Sequence, residues 1–370
     1  MTTIPLYKPY FDNDEVNAVL KVLKSGKLSR SKEIRNFEKN FAKYVDKKYA
    51  VAVNSGTSGL HLAVKALGLK EGDEVITTPF SFIASSNVLL YERAKPVFAD
   101  IDPNTFNLDP KETIRKINPR TKAILIVHIF GYPCYLKEYK KISEKYNLPI
   151  IEDACEALGK PEIKFKVNTV GELTIYGFYE NKQITTGGEG GIIVTDNKQL
   201  AGFCFSARDQ GRSNKKNWLE HVIVGYNYRI TELQAAFGNA QLQKLDNLLV
   251  QRTKLAEQYS LLLRGIPDIK LPYDDKNIKR SWFAYFLTFS SPGLCNRICT
   301  GLKKNNIAFH KYFPEIHLFP AYKSLGYKKG DFPICEKISS TTIALPFYIG
   351  LQEESIARIS KIIIDITKSE

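Results

Sequence analysis

The chain has 370 residues, of which 44% are apolar, and 53 Lys and Arg against 39 Asp and Glu give it a net charge of +14. That length suits two domains, the apolar share is that of a folded water-soluble protein, and no apolar run approaches the ~20 residues needed to span a bilayer. The opening stretch MTTIPLYKPYF lacks a basic segment followed by an apolar one, so we expect no secretory signal, a cytoplasmic location and no membrane partner.

Seven short apolar or β-branched runs lie between residues 49 and 196, namely 49–54, 74–80, 95–100, 122–129, 148–154, 173–179 and 191–196. Runs of that length bounded by turn residues read as buried strands. Helical patterns separate the early ones: SGLHLAVKALGL, SSNVLLYERA, DPKETIRKIN and YLKEYKKISEKYN. Strand–helix alternation predicts an α/β fold, a seven-stranded, mostly parallel sheet between helices. The last two runs leave no room for a full helix, which allows an antiparallel or irregular connection. Thr231 and Gln234 form a capping box before a long helical stretch, residues 232–263. We expect a large domain over 1–245 and a smaller α+β C-terminal domain over 246–370. The latter contains strand WFAYFLTF, helix CNRICTGLKKNN, a loop from His310 to Tyr322 and a closing helix EESIARISKIIIDIT.

Charge selects no nucleic-acid partner. There is no C-x-x-C finger, no helix-turn-helix in a basic stripe and no RNP-like aromatic motif. Lysines occur as scattered pairs, such as Lys140-Lys141 and Lys328-Lys329, which suit a solvated surface. The six cysteines are also scattered. Cys295 and Cys299 can share a helix face, but no second ligand pair accompanies them, so packed free thiols and no metal site are expected.

Three segments carry chemistry. Asn54-Ser55-Gly56-Thr57-Ser58-Gly59 ends one strand and starts a helix, where free N–H groups, a positive dipole end and two hydroxyls can hold a phosphate. Glu152-Asp153-Ala154 ends another strand, where ligands of α/β sheets sit. A carboxylate there can pair with a protonated pyridine nitrogen, or merely cap a helix. Lys182 lies in YGFYENKQITTGGEGG, after a strand and before a glycine-rich turn. It can serve as a Schiff-base nucleophile, or be a solvent-facing hairpin lysine.

Their order, phosphate turn, strand-end Asp and then Lys, is that of fold-type I pyridoxal 5′-phosphate (PLP) enzymes. The chain resembles the DegT-type (DegT/StrS) nucleotide-sugar aminotransferases over essentially its whole length. The matching stretches include NSGTSGLHLA, PFSFIASSNV, KPVFADID, EDACEALG, NKQITTGGEGG, GYNYRITELQAAFGNAQL, FPEIHLFPAY, FPICEKIS and ALPFY. The resemblance implies PLP as cofactor, Lys182 as the lysine that joins it and shuttles the proton, and Asp153 as partner of its ring nitrogen. It implies Phe82 stacked on the ring, Gly56, Thr57 and Ser58 as the phosphate cradle, and Glu156 near the ring's phenolic oxygen. Asn227 would reach the phosphate from a neighbouring subunit, so a homodimer with interfacial sites is implied. The substrates implied are L-glutamate and a nucleotide-linked keto-sugar, with Arg229, Lys311, Tyr312 and His317 as candidates for holding the latter.

The chain departs from the resemblance at three places. Gly177 stands where many members have a phosphate-binding Ser, and Ser58 is expected to compensate. Ser31-Lys32 replaces a common Gly-Pro. His310 or Lys311 stands in for an Arg at the start of the 310–317 loop. Lys182 argues against the dehydratase branch of the superfamily, which has His there. Amination of a cyclitol ketone and a non-catalytic, PLP-binding regulator are the other readings.

Overall fold

The computed structural model describes residues 3–160, 167–213, 220–275 and 277–368. Helices α1 (Asn13–Ser25) and α2 (Lys32–Tyr44) lead in, α1 opening on a capping box of Asp12 and Glu15. Strands and helices then alternate: β1 (Tyr49–Val53), α3 (Gly56–Ala66), β2 (Glu74–Thr77), α4 (Ala84–Tyr91), β3 (Lys95–Phe98), α5 (Pro110–Lys116), β4 (Thr121–Val127), α6 (Leu136–Tyr146) and β5 (Ile150–Asp153). Next come β6 (Leu173–Gly177) and β7 (Gly191–Thr195), with no helix between them. These seven strands are the seven expected, and they form one sheet in the order β1-β7-β6-β5-β4-β2-β3.

From β3 to β6 every pairing is parallel, while β7 runs antiparallel to both β6 and β1. The hairpin joining β6 to β7 explains this, because a parallel neighbour needs a crossover of a dozen or more residues. Residues along β2, β5 and β7 are buried on both faces, which is why these strands read as continuous apolar runs. The carboxyl ends of β1, β2, β5 and β6 share one edge with the start of β7. This edge is where α/β sheets bind ligands.

Helices α7 (Lys198–Arg208) and α8 (Glu232–Leu263) follow. The 32-residue α8 opens on the expected box of Thr231 and Gln234. Its first half, through Leu248, packs with Phe37, Phe41 and Phe178. Its second half, from Ala256, packs with Tyr285, Ile298 and Ile359. The second core belongs to a three-stranded antiparallel sheet, β8 (Ile269–Lys270), β9 (Tyr285–Phe289) and β10 (Thr342–Leu345), covered by α9 (Pro292–Lys304), α10 (Pro333–Thr341) and α11 (Glu353–Lys368). N-terminal Ile4 joins this second core and bridges to Ile307. A third cluster unites the two parts, with Phe283, Phe286 and Phe313 against Phe80, Phe106 and Phe130 of the large sheet.

The six cysteines are free thiols. Among the described residues, no helix is long and apolar enough to cross a membrane, and no group of His, Cys, Asp and Glu is placed to hold a metal ion.

Candidate active site

Ser55 caps α3, its hydroxyl accepting the Ser58 N–H at 3.1 Å. The first N–H groups of a helix have no acceptor within it, so Gly56 and Thr57 present theirs at the sheet edge. The surroundings bring backbone close to backbone. A Cβ on Gly191, where β7 begins, would stand 2.5 Å from the Ser55 carbonyl oxygen, and a Cβ on Gly190 would stand 2.1 Å from the Thr186 hydroxyl. The last two glycines of GEGG are therefore steric requirements. Gly187 and Gly188 take φ of +84° and +127°, backbone that side chains disfavour.

Ser58 already has a hydrogen-bond acceptor within the turn. Its hydroxyl donates to Asn54 Oδ1 at 2.6 Å, and its one proton is thereby committed. The bare helix end and the glycine-lined floor still suit a phosphate.

Asp153 ends β5 and is 5% exposed. Its Oδ2 accepts from the Ser85 hydroxyl at 2.7 Å and its Oδ1 from the Cys155 N–H at 3.1 Å. The Ser85 N–H donates to the Phe82 carbonyl at 3.4 Å, which ties the Phe82 loop to the residue that holds the carboxylate. Phe82 itself is 64% exposed, a large apolar ring presented to solvent.

Lys182 follows β6 and projects its amine over the Phe283 ring, 4.2 Å from the centroid. Glu156 Oε1 lies 4.0 Å from the same amine, and Glu156 Oε2 accepts the Phe130 N–H at 2.8 Å. Burial pushes the Glu156 carboxyl up to about 7, with Lys182 pulling the other way. The loop carrying Lys182 is pinned by its neighbour. Gln183 Nε2 donates to the Glu156 carbonyl at 2.6 Å and to Ser281 Oγ at 3.0 Å. Tyr312 stacks on His310 and packs near Phe283, and burial pushes its hydroxyl up to about 12. One cluster thus holds an amine, a buried strand-end carboxylate, a second carboxyl titrating near neutrality and a phosphate-fitting turn. A lysine nucleophile with acid–base partners and an anion cradle can join a phosphorylated carbonyl cofactor and move protons beside it.

Residues 9–364 match the DegT/DnrJ/EryC1/StrS aminotransferase family. The chain belongs to this family. It is 34% identical over 360 residues to GDP-perosamine synthase of Vibrio cholerae, covering 96% of this chain and 97% of that one. Its structure superposes on Helicobacter pylori PseC, an aminotransferase of pseudoaminic acid biosynthesis, with a TM-score of 0.94 at 28% identity, covering 100% of both chains. It superposes on Bacillus subtilis NtdA, solved with bound cofactor PMP, with a TM-score of 0.89 at 30% identity over 97% of this chain and 83% of that one. The protein is a PLP-dependent aminotransferase of the sugar-modifying kind, with the fold-type I architecture read from its sequence.

In this aminotransferase, several candidates lie elsewhere. Arg229 gives its guanidinium to Asp209 at 2.8 Å, in a cluster with Arg30 and Arg212. Lys311 reaches Asn296 of α9 at 3.0 Å. His317 is 1% exposed, bonded to Glu336 at 3.1 Å and packed on Phe332. None of these partners touches Lys182, and only Tyr312 of the four substrate candidates joins its cluster. Asn227 is exposed between Tyr226 and Tyr228. Those two rings stack at 4.8 Å, and His61 supports them, taking the Tyr228 hydroxyl at 3.0 Å and Glu92 at 2.8 Å.

Ser85, Phe283, Gln183 and Ser281 did not stand out in the sequence. Ser85 lies within PFSFIASSNV, eight residues past the end of β2, and a hydroxyl there was a readable signal. Phe283 reads only as part of an apolar strand, and Ser281 carries no signal at all.

Proposed function

We propose that this aminotransferase moves an amino group from L-glutamate to a keto-sugar carried on a nucleoside diphosphate, an NDP-4-keto- or 3-keto-6-deoxyhexose, in amino-sugar synthesis. The observation that carries the chemistry is the Lys182 amine, set between Phe283 and Glu156 beside Asp153 and the α3 turn. The names of the GDP-perosamine and pseudoaminic acid enzymes support the sugar class, and the net charge of +14 suits a diphosphate substrate.

The residues present fit PLP, with Gly56 and Thr57 for its phosphate, Asp153 for its ring nitrogen, Phe82 for its ring face, Glu156 for its phenolic oxygen and Lys182 for its carbonyl carbon. When bound, PLP supplies an electron-withdrawing ring that carries the amino group from donor to acceptor. Lys182 Nζ takes the proton from the donor carbon bearing the amine and returns it on the other side of the transfer. Asp153, held by Ser85 and the Cys155 N–H, keeps the ring nitrogen protonated. Glu156 Oε1 faces the Lys182 amine at 4.0 Å. Asn227 belongs to the partner's site in a homodimer. The flanking exposure of Val222 (57%) and Val224 (86%) supports such a covering surface.

The deciding experiment is the visible spectrum of the purified protein before and after L-glutamate, beside Lys182→Ala. We expect a bound yellow chromophore that bleaches with glutamate in the wild type, and turnover at least ~10³-fold lower in the variant. A colourless protein that takes up no added PLP would overturn the reading. Keto-sugar nucleotides accepted in preference to the free keto-sugars would support the substrate class.

A further inference from the structure

At the base of the cradle the Cys155 sulfur lies between two glycines. A Cβ on Gly56 would stand 2.9 Å from Sγ. A Cβ on Gly177 would stand 3.1 Å from Sγ and 3.2 Å from the Cys155 Cβ. The first distance is shorter than packed carbons tolerate, and the second pair is tight before any further atom is added. The Cys155 backbone is tethered, since its N–H is bonded to Asp153 Oδ1 at 3.1 Å. Removing the sulfur would leave Gly177 Cα, at 3.4 Å, as the nearest atom to a Cβ at 56, an ordinary contact.

The sulfur is suited to this place. Burial and the Asp153 charge push the thiol well up, so it stays neutral beside the carboxylate. A protonated cysteine packs as a small hydrophobe. The Ser58 hydroxyl gives its proton to Asn54.

We propose that Cys155 and Gly177 are a coupled pair that sets how the cofactor's phosphate is held. The sulfur fills the base of the cradle, position 177 must stay bare, and the grip comes from the α3 N–H groups with no hydroxyl from the end of β6. Cys155 is thus a positioning residue. The inference rests on the PLP reading above.

The test is a double-mutant cycle over Cys155→Ala and Gly177→Ser, with PLP affinity by absorbance titration and the melting temperature of the cofactor-free protein as two readouts. With Cys155 present, Gly177→Ser should weaken PLP binding about tenfold and lower the melting temperature, the cost of overpacking a tight site. Cys155→Ala alone should change affinity by less than about threefold, and the double variant should recover to within about threefold of wild type, or bind tighter, a coupling typical of side chains in contact. Gly177→Ser binding PLP as tightly as wild type would overturn the proposal, as would single effects that simply multiply in the double variant. If Gly177→Ser does not fold, Gly177→Ala puts the Cβ alone against the sulfur and carries the same test. If the wild type takes up no PLP, the cofactor reading falls separately, and additive melting shifts would overturn the shared space itself.

Discussion

Glu152 and Asp153 are consecutive carboxylates at the end of β5, and strand alternation sends them to opposite faces of the sheet. Glu152 is fully buried and receives the His128 Nε2–H at 3.0 Å together with the N–H groups of Asn168, Val170 and Gly171 at 2.7, 2.9 and 2.6 Å. His128 Nδ1 accepts the Cys134 N–H, which fixes the ring's proton on Nε2. These donors hold the Glu152 carboxyl below its ordinary range despite its burial. Asp153 has two donors, Ser85 and the Cys155 N–H, at the ligand-binding edge. One carboxylate has its hydrogen-bonding capacity consumed inside the protein, while the other keeps capacity for something else. The same residue class one position apart thus serves cohesion on one side and leaves an acceptor at the ligand-binding edge on the other.

That contrast can be broken at either carboxylate. Glu152→Ala should cost about 4 kcal/mol of stability, because three N–H groups and His128 lose their acceptor in a dry interior, and thermal melting reads this directly. The sign with pH follows from the depressed carboxyl. Its contribution is present above the unfolded pKa and is lost as pH falls through the folded one, so the gap to wild type should narrow in acid. Asp153→Asn should leave melting nearly unchanged and lower turnover about 10²-fold, as expected for removing a charge aimed at the reacting group. Equal melting losses in the two variants would dissolve the distinction.

Glu156 sharpens it further, being buried with a single backbone donor and Lys182 at 4.0 Å. Its folded pKa of about 7 lies above the usual carboxyl value of 4.5. Its relative stability is therefore full below the unfolded pKa and is lost as pH rises through 7. From pH 5 to 8 the cofactor-free wild type should lose about 2 kcal/mol relative to Glu156→Gln. Parallel stability curves would place the Glu156 proton elsewhere.

The parts legible in sequence were those governed by local pattern. The seven strands showed as apolar runs because the sheet is covered on both faces, and the α8 start showed as a capping box. The missing crossover before β7 left room for an antiparallel or an irregular connection, and the strand is antiparallel. Lys182, Asp153 and the α3 turn were singled out by their order at strand ends together with the family resemblance, since each taken alone also suits a plain structural role. What pairs across the chain was not readable. Ser58 looked like a free hydroxyl until Asn54 was seen to take its proton. Arg229 and His317 looked available because Asp209 and Glu336 are remote in sequence or silent in pattern. Phe283, beneath Lys182, is indistinguishable from any core aromatic until β9 is placed.

The clamp between Gln183 and Ser281 has a consequence for how the protein is made. The two residues lie 98 positions apart, so the loop bearing Lys182 emerges from the ribosome well before the residue that fastens it. At ~5–20 residues per second, the nascent large sheet waits several seconds with its lysine unclamped and with no Phe283 beneath the amine. The bond from Gln183 to Ser281 forms only once the later segment has docked.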